Sequence, residues 1–335
     1  MGVILALVGA ASFALMNVSV RKGVRPGEED NGVLTTVIVS VLIYSPLILI
    51  VAATAGITAW SWIGIGVFVV AGLASTFIGR TLLFGGIRRI GAARAAAIKN
   101  ATPLVTLAIA LTVLGEQLVP LTGLGIVLVM SGVFLIIRES MQRSAQGNLA
   151  TDPENIVDVA LEAEALAEGA PPRSVGLAGR TWSYVTGDIG GQALVGVTLS
   201  LVAALTFGAA HALRKVGMDI LPDALLGAAT GSWAALIGYL VAATARGQLG
   251  SVRRSVTARR PYFWLAGLAG AMGQLSFFAA LNFAPVSQVS VVASAEIVLT
   301  VLFAAIATHT EHITRRLVLP ATLVFGGAAI IALAH

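Results

Sequence analysis

The sequence predicts an all-α integral membrane protein with ten transmembrane helices, arranged as two inverted five-helix repeats. Of the 335 residues, 57% are hydrophobic and only 11% are charged, and the mean hydropathy is +0.91. This composition leaves too little polar surface for a soluble domain. Hydrophobic stretches of about 20 residues, the length of helix that crosses a bilayer, recur in both halves. The two halves also repeat residues at a constant spacing, which indicates a duplication.

The predicted spans fall into two groups of five, separated by a long polar segment. They cover approximately Gly2–Val20, Gly32–Ala55, Trp62–Phe84, Ala92–Leu114, Leu118–Ile137, Gly191–Arg214, Ala224–Ala245, Tyr262–Phe283, Val286–Thr308 and Leu317–Ala334. The first span begins at Gly2 without a preceding basic segment. We therefore expect a transmembrane helix there and not a cleaved signal peptide.

The duplication is visible in residues that recur at an offset of 194, which becomes 195 after Thr106. Pairs at these offsets include Phe13 and Phe207, Gly23 and Gly217, Gly79 and Gly273, and Glu116 and Glu311. Because each half has an odd number of spans, the second copy is expected to cross the bilayer upside down relative to the first. Such inverted repeats place their substrate near the membrane midplane, between the copies.

The chain divides into a first repeat at residues 1–137, a polar acidic linker at 138–190 and a second repeat at 191–335. Within the linker, Thr151-Asp-Pro-Glu154 has the form of a helix start, and spaced apolar residues follow it as far as Gly169. We expect a short amphipathic helix there. It is either a passive surface helix or a contact for a partner.

Charge and motif content exclude several classes of protein. The net charge is +5, but the basic residues lie mostly in loops beside the spans, where they suit lipid headgroups and not nucleic acid. The sequence has no cysteine and no hydrolase, P-loop or dinucleotide-binding motif, and its histidines are too few for a metal centre. We therefore expect no enzyme activity, no catalytic residue, no cofactor and no metal.

Ionisable residues inside apolar spans are costly and usually functional. Lys99, followed by Asn100, lies near the middle of the fourth span, and Glu296 lies near the middle of the ninth. For Glu296 three interpretations stay open: a proton-coupling carboxylate, a counter-ion for Lys99, or a structural group. Ser287, Ser290 and Ser294 form a separate polar stripe that we interpret in part as packing.

Two further pairs occupy equivalent positions in the copies. Asn17 matches His211, and Arg80 matches Gln274. His211 is a second candidate for proton coupling, although its place near the predicted span end also suits an interfacial histidine. Arg80 is interpreted either as an anion ligand or as a cation that reaches the membrane surface.

An ordered set of motifs runs from Gly79-Arg80 through Arg89-Ile-Gly-Ala-Ala-Arg-Ala95, Pro103 and Gly115-Glu116 to the span around Gly132, and a similar set runs from Gly273 to Gly327. This arrangement resembles the EamA-type repeat of the drug/metabolite transporter superfamily. The resemblance implies a central cavity lined by the first, third and fourth helix of each repeat, and secondary transport of small metabolites, often outward. The cavity positions that it implies are Asn17, Arg80, Lys99, Asn100, His211, Gln274 and Glu296. It assigns Glu116 and Glu311 to span ends, as structural residues.

The chain departs from the family pattern in three respects. Ile297 stands where a proline is common, so we expect a less kinked ninth span; Thr308-His-Thr-Glu311 replaces a Gly-Glu pair; and the linker is long. The loop charges predict both termini outside, whereas the resemblance implies cytoplasmic termini.

We therefore expect a secondary active transporter of a small polar metabolite, amino-acid-like or an organic acid, that works by alternating access in efflux or exchange. One alternative is a multidrug or cation exporter, and another is a non-transporting scaffold or receptor that acts through the linker helix. The expected partners are a small-molecule substrate, the lipid bilayer, and a proton or counter-substrate, without nucleic acid; a homodimer stays open. The expected location is a prokaryotic inner membrane.

Overall fold

The computed structural model describes residues 1–23, 32–54, 60–90, 95, 98–145, 191–245, 247, 261–308 and 318–334. Throughout these residues the regular secondary structure is helical. The helices of the first half are α1 (Gly2–Gly23), α2 (Val33–Thr54), α3 (Trp62–Gly72), α4 (Arg80–Ile90), α5 (Thr102–Thr112) and α6 (Pro120–Ala145). Those of the second half are α7 (Gly191–Ile220), α8 (Ala224–Ala245), α9 (Pro261–Ala280), α10 (Val286–Ala293), α11 (Glu296–Thr308) and α12 (Val318–Leu333).

Helix length and hydropathy make the chain a multi-pass integral membrane protein. Within the described residues, seven stretches are long and apolar enough to cross a bilayer: Gly2–Val20, Val33–Thr54, Trp62–Leu83, Leu194–Ile220, Ala224–Ala245, Pro261–Ala280 and Val286–Phe303. Shorter apolar helices occupy the positions of the predicted fourth, fifth and tenth spans, at Thr102–Thr112, Pro120–Leu135 and Val318–Leu333.

The helices of the two halves pack against one another. Helix α1 lies on α9, α7 lies on α3 and α4, α2 contacts both α8 and α9, and α6 pairs with α12. Glycines allow close approach at these contacts: Gly72 lies against the backbone of Gly231, and Gly125 lies against the carbonyl of Gly327. Close packing of small residues is how helices associate where lipid offers no hydrophobic driving force.

Contacts between the halves occur in equivalent pairs. Tyr44 Oη donates a hydrogen bond to the carbonyl of Ala271 at 2.6 Å, and Tyr239 Oη donates one to the carbonyl of Thr76 at 2.9 Å. The two bonds correspond to each other when 195 is added to Tyr44 and Thr76, one more than the offset of 194 that the sequence predicts for this part of the chain. Two glycine contacts correspond in the same way. Gly273 lies against Phe13, and the corresponding Gly79 lies against Phe207. Gly132 lies against Pro320 and Val324, and the corresponding Gly327 lies against Gly125 and Val129.

A seven-residue π-helix, Leu73–Gly79, connects α3 to α4. Before it, Phe68 and Phe263 are equivalent at an offset of 195, since Phe263 lies against Gly23 and Phe68 lies against Gly217. At its last residue, Gly79 and Gly273 correspond at an offset of 194. The wider turn of a π-helix takes up an additional residue without ending the helix. The first half therefore has one residue more than the second within this segment.

The ninth span is broken, contrary to the expectation that Ile297 leaves it less kinked. A turn at Ser294 and Ala295 separates α10 from α11. In the fourth span, a turn at Asn100 and Ala101 precedes α5. Ser294 donates both its backbone N–H, at 3.1 Å, and its Oγ hydroxyl, at 2.5 Å, to the carbonyl of Val291, so the turn forms without a proline.

Two helices extend past the predicted ends. Helix α7 continues to Ile220, six residues beyond the predicted end at Arg214, because Lys215 and Asp219 form an i,i+4 ion pair with a 2.7 Å contact in its last turns. Helix α6 continues to Ala145, past residue 138 where the linker was expected to begin. The predicted linker helix from Thr151 to Gly169 lies outside the described residues.

Candidate binding site inside the helix bundle

Three polar side chains from both halves meet around Glu296. Asn17 Nδ2 donates a hydrogen bond to Glu296 Oε1 at 2.7 Å, and Lys99 Nζ lies 4.0 Å from the same oxygen. Asn17 belongs to α1 and Lys99 to the segment before α5, so two side chains of the first half contact a carboxylate of the second half. The side chains of Lys99 and Glu296 are 30% and 20% exposed. This pair is therefore partly accessible and not fully buried.

The helix breaks determine where these two charges lie. Lys99 immediately precedes the turn at Asn100 and Ala101, and Glu296 begins α11 directly after the turn at Ser294 and Ala295. An acidic residue in the first turn of a helix is stabilised by the helix dipole. Asn100, also a predicted site residue, is half-buried within the turn itself. Broken helices that expose their ends at mid-membrane are typical of transporter binding sites.

Arg80 and Gln274, equivalent in the two copies, line one small polar cavity. Thr36, Thr76 and Ser232 share that cavity. Arg80 Nη1 donates to Thr36 Oγ1 at 3.5 Å, and Gln274 Nε2 donates to the carbonyl of Ala228 at 3.0 Å. Arg80 begins α4, with ten further helical residues after it. The structure therefore favours an internal cation over one that reaches the membrane surface.

His211 lies inside the bundle and not at a helix end, since α7 runs nine residues further. Its Nδ1 lies 3.2 Å from Ser290 Oγ, and its ring centre lies 4.6 Å from that of Phe277, with the two ring planes tilted by 39°. Ser290, interpreted in part as a packing residue, thus contacts a candidate site residue.

Arg214, which the sequence places at the end of the predicted sixth span and which is not among the predicted site residues, lies inside the bundle. The side chain is only 7% exposed, and its Nη2 donates to Ser75 Oγ, in the π-helix, at 2.7 Å. The sequence does contain an indication that Arg214 faces the interior, because it follows His211 by three residues and so shares its helix face. A span that ends at Arg214 gives no reason to include this residue in the site.

Glu116 has a structural contact that agrees with its expected role. Its Oε1 accepts a hydrogen bond from the backbone N–H of Val286 at 2.8 Å, and its Oε2 accepts one from Ser287 at 3.2 Å. Pro285, at the N-cap of α10, provides no side-chain cap. A carboxylate from the other half therefore caps this helix. Glu311 lies outside the described residues.

The protein therefore crosses the membrane several times, and charged side chains lie at the breaks of two of its helices. Residues 1–138 match the family model described as EamA-like transporter family. Residues 1–138 are thus similar to that family, which is part of the drug/metabolite transporter superfamily, and the resemblance is confirmed over these residues. The family is one of transporters and not of enzymes.

Two comparisons concern whole chains. Sixteen chains of solved structures match this fold. One of them, described only as "Crystal structure of protein", has a TM-score of 0.63 and 13% sequence identity, with 99% of this chain and 96% of that chain covered. At this identity the likeness shows the fold alone. A search of the curated proteins finds no match.

Proposed function

We propose that this protein is a secondary active transporter that moves a small polar metabolite with a carboxylate, amino-acid-like or an organic acid, in efflux or exchange across a prokaryotic inner membrane. The observation that carries the proposal is the pair of Lys99 and Glu296, 4.0 Å apart at the breaks of two helices from different halves. A movement of one half against the other changes this contact. A site that assembles and separates with such a movement is what alternating access requires.

Ten spans in two inverted repeats are part of the proposal. The exchanged hydrogen bonds of Tyr44 and Tyr239 support it, because each tyrosine bonds the backbone of the other half at the equivalent level. The exchanged glycine contacts of α6 with α12 support the same two-fold relationship. An odd number of spans per copy then gives the copies opposite orientations.

The charges support an anionic substrate over a cation. Lys99 and Arg80 provide two positive charges, whereas Glu296 provides one negative charge. In addition, Glu296 Oε1 already accepts a hydrogen bond from Asn17 at 2.7 Å. A carboxylate group bound beside Lys99 gains an opposite charge in a low-dielectric interior. Asn17, His211, Gln274 and Asn100 then supply neutral hydrogen-bonding groups around the rest of the substrate.

The test compares metabolites in the medium of cells that express the wild-type chain or Lys99→Ala. We expect the wild type to raise the export of one or more carboxylate-bearing metabolites, and Lys99→Ala to abolish that export at equal abundance in the membrane. The matched control is Lys215→Ala, whose ammonium pairs with Asp219 on α7 and should be dispensable. Full export by Lys99→Ala would refute the proposed site.

A second comparison separates transport from a scaffold role of the linker. We expect a chain without residues Thr151 to Gly169 to keep its export activity, because the charged interior contacts are made by the helices on either side. Loss of export at unchanged membrane abundance would favour the scaffold or receptor instead.

A further inference from the structure

Arg214 is a buried cation whose immediate neighbours are neutral. Its guanidinium lies 5.6 and 5.3 Å from the ring centres of Phe277 and Phe278, and it donates to the hydroxyl of Ser75. Arginine stays protonated in proteins, so the positive charge persists in this apolar surrounding. Aromatic faces and a hydroxyl solvate such a charge but do not neutralise it.

None of the described residues supplies a carboxylate to Arg214 within 4.0 Å. The phenols of Tyr44 and Tyr239 are also neutral: Tyr44 donates its proton to the carbonyl of Ala271, and Tyr239 donates its proton to the carbonyl of Thr76. His211, three residues before Arg214 on the same helix face, is either neutral or a further cation. The positive charge of Arg214 thus has no acidic partner in the described part of the chain.

The interior cluster around the proposed site has an excess of positive charge. Among the described residues, Lys99, Arg80 and Arg214 contribute three cations and Glu296 contributes one carboxylate, so two positive charges remain in this part of the chain. Leaving charges uncompensated in a low-dielectric interior is expensive. A substrate that carries two negative charges removes this cost, whereas a monoanion or a zwitterion leaves part of it.

Arg214 is connected to the cavity that contains Arg80 through two hydroxyls. Arg214 Nη2 lies 2.7 Å from Ser75 Oγ, and Ser75 Oγ lies 3.4 Å from Thr76 Oγ1, which lines the cavity. Arg80 follows Thr76 by one turn. Both cations therefore act on the same polar space, Arg80 by contact and Arg214 through its field over a short distance.

We propose that the interior site selects a small dianion, a dicarboxylate or a phosphate monoester, and that Arg214 is the residue that sets this charge preference. The proposal rests on the transporter function proposed above; of the substrates named there it favours dicarboxylic organic acids over amino acids, and it adds phosphate monoesters. Arg214 is a positioning residue here, since its charge attracts and orients the second anionic group while Ser75 and the two phenylalanines hold its guanidinium. The two ligand classes share a doubly charged oxyanion, and separate arms of the experiment distinguish them.

The experiment measures equilibrium binding to the purified full-length chain, as apparent melting temperature against ligand concentration. Each dianion is compared with a monoanion of similar size: succinate with succinamate, and methyl phosphate with dimethyl phosphate, at a pH where methyl phosphate is doubly charged. We expect at least one dianion to bind about tenfold tighter than its monoanionic partner. Equal binding of both members in both pairs, or no binding by either dianion, overturns the proposal.

Three variants assign the preference to Arg214. R214Q should bind the dianion and its monoanionic partner with equal affinity. R214K keeps the charge and should keep the preference, and K215Q, which removes the neighbouring paired cation, should leave it unchanged. An R214Q variant that keeps the wild-type preference refutes the role of Arg214. Should R214Q not fold, loss of the preference in the charge-preserving R214K refutes that role.

This measurement is independent of transport. Dianion preference in the purified protein without any export in cells would contradict the proposed function alone. Export of a metabolite with equal binding within both ligand pairs would contradict the dianion inference alone.

Discussion

Glu116 and Val286 connect the two halves of the molecule at the start of α10: the Glu116 carboxylate accepts the backbone N–H of Val286 at 2.8 Å. Glu116 follows α5, so this contact ties the end of one broken span to the beginning of the other. Pro285 precedes Val286 and provides no cap of its own.

We expect Glu116→Ala to lower the stability of the folded protein by about 1–3 kcal/mol, since it removes charge-assisted hydrogen bonds to two backbone N–H groups. Glu116→Gln should cost less, because the amide oxygen still accepts one of them. Denaturant unfolding in detergent provides the measurement. Asp219→Asn is the control, since its carboxylate is exposed and pairs only along α7. Equal stability of Glu116→Ala and the wild type would contradict the capping role.

Tyr44→Phe and Tyr239→Phe test the equivalence of the halves. Each substitution removes one hydrogen bond to a helix carbonyl of the opposite half, at 2.6 and 2.9 Å, without changing the ring. We expect each to cost about 0.5–1.5 kcal/mol and the double variant to cost their sum, because the sites do not share a partner. A large loss in one variant and none in the other would show that the halves differ at this level.

Gly72 and Gly231 lie in contact but should tolerate alanine differently. A Cβ on Gly72 meets the backbone of Gly231, whereas a Cβ on Gly231 has Gly72 Cα at 3.4 Å as its nearest atom, an ordinary distance. Gly72→Ala should therefore separate α3 from α8 and reduce the yield of folded protein, and Gly231→Ala should be close to neutral. Size-exclusion profiles of the two variants measure this difference in the yield of folded protein. Similar profiles would contradict the asymmetry.

Glu296→Gln tests proton coupling without removing the oxygen that Asn17 contacts. We expect wild-type export to respond to an imposed pH gradient. The variant should lose that response while retaining substrate binding, because an amide side chain does not titrate as a carboxyl group does. His211→Gln is the comparison. Loss of the response in His211→Gln, with an unchanged response in Glu296→Gln, would transfer the role to the histidine.

Membrane spans and interior charges are predictable from sequence because both depend on burial cost. Among the described residues, seven of the ten predicted spans correspond to stretches long and apolar enough to cross a bilayer. Lys99 and Glu296 stand out as charges within apolar runs, and the structure brings them to within 4.0 Å. Arg80 and Gln274, paired by the sequence offset alone, line one cavity even though the side chains differ.

Other features depend on tertiary contacts that hydropathy does not contain. The break at Ser294 and Ala295 was missed because no proline marks it. Arg214 falls at the end of a predicted span because its charge ends a hydropathy window, although Ser75, Phe277 and Phe278 hold it inside the bundle. A charged residue at the end of an apolar run thus lies either in a loop or inside the bundle, and only its contacts with other helices distinguish the two cases.

The π-helix at Leu73–Gly79 keeps Arg80 in phase with Gln274 although the two halves differ in length at this point. One additional residue in an ordinary α-helix turns everything after it by about 100° around the axis. That rotation would take Arg80 away from the cavity that it lines together with Gln274. Because the wide turn takes up the additional residue before Arg80, the two halves need not match in length for these two side chains to face the same space.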